Sequence, residues 1–120
     1  DNPPEAIEQG GQPSFEMASI EIGGVDFTIL AAGPYFKFNE AVSFVINCKD
    51  QDEVDYYWEA LTSNGGEEGS CGWCKDKYGL SWQVIPIEYY ELVNSEDPAV
   101  REKAMKTTMM QTKIILSELK

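Results

Sequence analysis

The residues of this chain best suited to chemistry are gathered in one stretch, Ser70 to Pro86, which reads SCGWCKDKYGLSWQVIP. Cys71 and Cys74 have the C-x-x-C spacing of a dithiol redox pair or half of a zinc site. The redox reading needs the first thiol at a helix N-terminus, where the macrodipole lowers its pKa. A closed tetrahedral zinc site needs four ligands, and the chain offers only one further cysteine, Cys48, and no histidine, so a carboxylate or a partner chain would have to complete it. Further along, Ser81 and Gln83 alternate with Trp82 and Val84, which makes the polar pair candidates to line a cavity. Nucleophilic triads are set aside because no imidazole exists to act as base. General acid and base work by a carboxylate stays open, with Glu16 the candidate on strand placement alone.

These groups must be held by elements that the patterning makes legible. Period-two alternation on both sides of Asp76, Lys77, Tyr78 and Gly79 predicts a β-hairpin, a setting that suits neither thiol chemistry. Phe15 to Ile22 and Val25 to Leu30, joined at Gly23 and Gly24, predict an earlier hairpin. Ala41 to Cys48 is β-branched, aromatic and nearly uncharged, as expected of a strand covered on both faces. Asp50 starts a helix, with Glu53 in capping-box spacing and Val54, Tyr57, Trp58 and Leu61 on one face; Gly65 and Gly66 end it. Its other face, Asp52, Asp55, Tyr56 and Glu59, is expected to be solvated. Ile87 to Glu96 reads as an irregular acidic stretch, followed by a helix that Asp97 caps and Pro98 enters. Met105, Met109 and Met110 on it are expected to fill core, the alternative being a flexible apolar surface. Residues 1–14, rich in Pro, Gly and acid, read as a loop or the remnant of a longer segment.

Composition narrows the function classes. A length of 120 residues suits one domain, and no apolar run approaches the roughly 20 residues of a bilayer span. Twenty-one acidic residues against nine basic ones give a formal charge of −12, which repels phosphate backbones and anionic lipid, so neither nucleic acid nor membrane is an expected partner. The odd cysteine count argues against a disulfide framework and for a reducing compartment, with the cytoplasm as default.

The segments FKFNEAVSFVINCKDQDEVDYYWEAL and GGEEGSCGWCKDKYGLSWQVIP closely resemble the PhnB-like branch of the glyoxalase and bleomycin-resistance superfamily, the vicinal oxygen chelate proteins. The resemblance runs from about Ser14 and includes the DPAVREKAMKTTMM helix. It implies an α+β fold of βαβββ modules forming a curved mixed sheet. Residues 1–35 would then hold what is visible of an incomplete first module, 36–87 the second module and 88–120 a helical extension. Sheets with an exposed edge tend to pair, so a homodimer is expected. Members of this branch often carry the label 3-demethylubiquinone 3-methyltransferase, yet the chain lacks a glycine-rich loop between strand and helix, which a nucleotide-derived methyl donor would normally require.

Catalytic members of the superfamily hold a divalent ion with inward histidine and glutamate. The matching positions here are Ser43 and Gln83, a neutral hydroxyl and amide that bind such ions poorly, so no metal and no cofactor is expected. Glu16 and Glu21 could add oxygen ligands but read more simply as surface charge. The expected function is therefore metal-independent binding of a small, partly apolar molecule against Ser43, Gln83, Trp73, Trp82, Phe36 and Phe38. The alternative is an enzyme of the same superfamily with a non-standard active site.

Overall fold

The computed structural model describes residues 16–33 and 35–120; the terminal stretch through Phe15 and the loop residue Pro34 lie outside the described residues. The chain divides after Lys37 into two compact units. In the first, β1 (Glu16–Ile22) and β2 (Val25–Ala31) form the expected antiparallel hairpin, with Glu16 opposite Ala31 and Ile22 opposite Val25. Gly23 and Gly24 make its turn at positive φ, a conformation that costs glycine little. The register places Ile20, Ile22, Val25 and Ile29 on one face of the ribbon, all exposed.

The second unit is built on β3 (Ser43–Cys48), α1 (Gln51–Thr62), β4 (Glu67–Glu68), β5 (Trp73–Lys75) and β6 (Ser81–Pro86). Its sheet runs β3-β6-β5-β4, with β3 parallel to β6 and the other pairs antiparallel. β3 and β6 lie side by side because α1 and the β4–β5–β6 meander carry the chain across the sheet and back. The Asp50 carboxylate caps α1 by accepting from Glu53 N at 2.9 Å, and Glu53 reaches back to Lys49 N at 2.8 Å, one residue before the expected partner. Val54 and Trp58 of α1 then bury one face of the sheet together with Cys48, Cys74 and Val84, and Tyr57 and Leu61 flank them. The opposite side of the helix is exposed at Asp52, Asp55, Tyr56 and Glu59, as expected.

Three expectations are corrected here. Ile87 to Val93 is a helix, α2 (Ile87–Val93), and not an irregular stretch: Tyr89, Leu92 and Val93, at helical spacing, pack beside Ile85, Ala104, Ile114, Leu116 and Leu119, and Glu88 turns outward to Lys120 at 2.8 Å. β3 is covered on one face only, since Val45 and Asn47 are exposed. Met105, Met109 and Met110 are all exposed, Met110 by 87%, on and just beyond α3 (Pro98–Thr108). The side of α3 that is buried carries the smaller Ala104 and Thr108. Asp97 caps α3 as expected, its Oδ1 accepting from Ala99 N at 2.9 Å.

The chain ends in α4 (Leu116–Leu119). Gln51 of α1 clamps the approach to it, donating from Nε2 to Ile114 O at 2.9 Å and accepting at Oε1 from Leu116 N at 2.8 Å. Cys71 N and Gly72 N donate to Gln111 O and Thr112 O, both at 2.8 Å, so this C-terminal segment is tied to the hairpin as well. Among the described residues no helix is long and apolar enough to cross a membrane.

Candidate functional site

Pairing register decides which residues share a face. Ser43 lies opposite Ser81, Val45 opposite Gln83, and Gln83 opposite Trp73. In-register neighbours share a side, so Ser43, Val45, Gln83, Trp73, Lys75 and Ser81 all lie on the face away from α1. At one end of that face Ile85 is covered by the C-terminal cluster, and Tyr90 Oη donates to Asn47 Oδ1 at 2.9 Å. At the other end Val45 stands 46% exposed and Ser43, Gln83 and Trp73 are half-buried.

At the centre of the open part, Gln83 Nε2 donates to Ser43 Oγ at 2.9 Å. A serine that accepts here keeps its own O–H to donate, and the glutamine keeps a carbonyl oxygen to accept. The pair therefore offers a ligand both hydrogen-bond senses at neutral charge. It does not suit the divalent ion of the catalytic superfamily members, because a hydroxyl and an amide are weak neutral donors and each already engages the other. Among the described residues, no group of three His, Cys, Asp or Glu could hold a metal ion.

A cavity of about 180 Å³ lies in the same unit, lined by residues that include Glu40, Glu67, Glu68, Trp73, Lys75 and Ser81. Lys75 is ion-paired with Glu40. That hydrogen bond and attraction hold the Glu40 carboxyl below its ordinary pKa and the Lys75 ammonium above its own. Ser81 is 1% exposed, and its Oγ has no hydrogen-bond partner. Leaving a buried hydroxyl unpaired costs about 1–3 kcal/mol, which makes it a feature to explain.

The other nominated residues lie elsewhere. Trp82 is on the helix-covered face, beside the Cys48, Val54, Trp58, Cys74 and Val84 cluster, and this corrects the expectation that it lines the binding surface. It stands edge-on to Phe44, ring centroids 5.3 Å apart, with Nε1 donating to Asp76 Oδ2 at 3.0 Å. The alternation that separates Ser81 and Gln83 from Trp82 already required this. Phe36 is 94% exposed and belongs to the first unit; Phe38, in the second, is also exposed. Glu16 and Glu21 are exposed on β1 of the first unit. Ser81, a candidate to line a cavity from its alternation with Trp82, lines this one, whereas Lys75 and Glu40 were missed as cavity residues.

Of the C-x-x-C pair, Cys71 precedes β5 with φ at 59°, and Cys74 lies within the strand, facing the helix. Burial pushes the Cys74 and Cys48 thiols up to about 11, with nearby carboxylates adding to the effect. These are inert core thiols, the reverse of what redox chemistry requires.

The order β3-β6-β5-β4, backed by one helix and open on the other face, defines a βαβββ unit of the glyoxalase type within an α+β protein. The chain belongs to the family described as 3-demethylubiquinone-9 3-methyltransferase, whose family model matches residues 2–85. Comparison with curated proteins gives no match.

Proposed function

We propose that this chain binds a small, partly apolar organic molecule on the open face of the β3-β6-β5-β4 sheet, without a protein-held metal. The observation that carries this reading is the Gln83 to Ser43 hydrogen bond, which engages the two positions that would coordinate an ion and leaves one hydroxyl donor and one carbonyl acceptor for a ligand. Trp73 beside them supplies a flat apolar surface, and a few placed polar groups on such a surface are how small-molecule sites fix orientation. A metabolite screen by thermal shift tests this, since a ligand that binds the folded state raises its stability in proportion to ln(1 + [L]/Kd). The expected result is a hit whose effect is reduced by Gln83→Ala. Hits indifferent to Gln83 and Trp73, or a divalent ion retained stoichiometrically through dialysis, would overturn it.

The family description favours a second reading, an enzyme of the superfamily (lyase, dioxygenase or methyltransferase) with a non-standard site. Turnover of a hit compound that is abolished by changes at Gln83 or Ser43 would select it.

We also propose a homodimer. The support is the exposed apolar face of the β1–β2 ribbon, which an isolated two-stranded hairpin would not stabilise by itself. Light scattering at micromolar concentration should give twice the chain mass; a monomer would end this part of the reading. Three free cysteines support a reducing compartment, with the cytoplasm the simplest choice.

A further inference from the structure

The open face of the sheet carries a hydrogen-bonding pattern that selects among ligand groups. Gln83 Nε2 gives one of its two hydrogens to Ser43 Oγ. Left over are the Gln83 carbonyl oxygen, the second amide hydrogen and the Ser43 hydroxyl hydrogen. Gln83 Oε1 accepts from no group among the described residues and is open to water, since Ser81 Oγ is the fully buried polar side-chain atom without a partner there. Both Ser43 and Gln83 are half-buried, so a bound molecule would take the place of water at these atoms.

Each class of ligand group meets that set differently. A carboxylate accepts from the two hydrogens but repels the carbonyl oxygen, and the formal charge of −12 opposes an anion. An ammonium donates to that oxygen yet offers the hydroxyl hydrogen nothing to bond to. An ester or ether brings acceptors alone and strands Gln83 Oε1. A lactam or carboxamide carries an N–H beside a C=O, so one edge supplies a donor for the oxygen and an acceptor for the hydrogens. The neighbours of Gln83 add a separate constraint. Trp73 is directly opposite it on β5 and Val45 directly opposite on β3, with Val45 46% exposed. Directly opposed side chains stand about 5 Å apart, so a flat ring bonded to Gln83 at its edge lies within reach of the indole.

We infer that the open face takes a neutral, flat lactam or carboxamide, whose N–H donates to Gln83 Oε1 and whose carbonyl accepts from the Ser43 hydroxyl while its ring lies against Trp73. The inference rests on the reading of the open face as a binding surface and narrows that reading to one class of group.

Carbostyril, coumarin and naphthoate are flat bicyclic molecules that differ at one edge, which is a lactam, a lactone and a carboxylate respectively. Titrating each into the whole chain, followed by the Trp73 indole and Gln83 side-chain amide resonances in 15N–1H spectra, tests the inference. Carbostyril should saturate both signals about fivefold more tightly than coumarin, as expected for one hydrogen bond, and naphthoate should bind more weakly than either. Gln83→Met removes the carbonyl oxygen, and the lactam and lactone should then bind alike. Trp73→Leu should weaken both about fivefold and keep their ratio, because stacking does not distinguish them. Equal affinity for carbostyril and coumarin in the natural chain, a preference that survives Gln83→Met, or no saturation by carbostyril at about 5 mM would overturn the inference. The ratio in the natural chain decides the matter if either variant fails to fold. Coumarin or naphthoate saturating the two signals as well as carbostyril would end the amide argument and leave the binding face standing. That face fails separately, when hits from the metabolite screen prove indifferent to both Gln83 and Trp73.

Discussion

Gln83 Nε2 donates to Ser43 Oγ at 2.9 Å across the parallel β3–β6 pair, although 40 residues separate them in the chain. The bond joins the first and last strands of one βαβββ unit at the two positions that the family resemblance likens to the ion ligands of metal-dependent members. If neutrality at these positions disfavours a metal, Gln83→Glu should create weak binding of Mn²⁺ or Zn²⁺, with none expected for the natural chain, and should create no turnover. Calorimetric titration of both proteins measures this. A natural activity lost in the variant would point to the enzyme reading.

Asp76 holds the hairpin turn together. Its Oδ1 accepts from Tyr78 N at 2.9 Å and Leu80 N at 3.0 Å, and its Oδ2 from Trp82 Nε1. Asp76→Ala removes three acceptor contacts at once, two of them to half-buried residues, and should destabilise the chain by about 2–3 kcal/mol in urea unfolding. Asp76→Asn, which keeps one carbonyl oxygen, should cost less.

Gly66 sits where the exit from α1 meets the sheet. A Cβ there would lie 2.2 Å from Leu61 O and 2.8 Å from Lys75 O, both backbone atoms that cannot step aside. Gly66→Ala should therefore cost about 3 kcal/mol or more, or prevent folding. Gly79→Ala is the control: its Cβ meets nothing within 4 Å, and only the positive φ of 90° opposes it, at about 1–2 kcal/mol.

The three thiols should separate by reactivity. Native protein near pH 8 should label once, at the half-buried Cys71, while Cys48 and Cys74 react only on unfolding. Their folded pKa values are raised from 9.0 to about 11, so the native state resists their ionisation. Stability from this source is intact below pH 9 and is lost as pH climbs from 9 towards 11, because the unfolded chain sheds these protons first. Chemical denaturation at pH 8, 9, 10 and 11 should trace that decline, and Cys48→Ala should flatten part of it.

Local pattern alone determined much of this protein. The Gly23–Gly24 and Asp76–Gly79 turns, the Asp50 and Asp97 caps and the apolar stripe of α1 depend on interactions within a few residues, which the order of side chains encodes directly. The family came from a resemblance over much longer segments, and its model matches residues 2–85. Alternation also put Ser81 and Gln83 on one face and Trp82 on the other. Which of those faces α1 would cover was decided only when β3 paired with β6 and the helix was laid across them. The same holds for α2, where an acidic segment becomes helical because Tyr89, Leu92 and Val93 find Ile85 and Ile114, the latter far along the chain. The methionines of α3 stay outside because Ala104 and Thr108 allow its close approach on their side. The cavity beside Ser81 was legible only in part, through the alternation that marked Ser81 as a lining candidate. It depends on Glu40, Glu67 and Lys75 coming together from a loop and two strands, and no periodicity within a single segment records a contact of that kind.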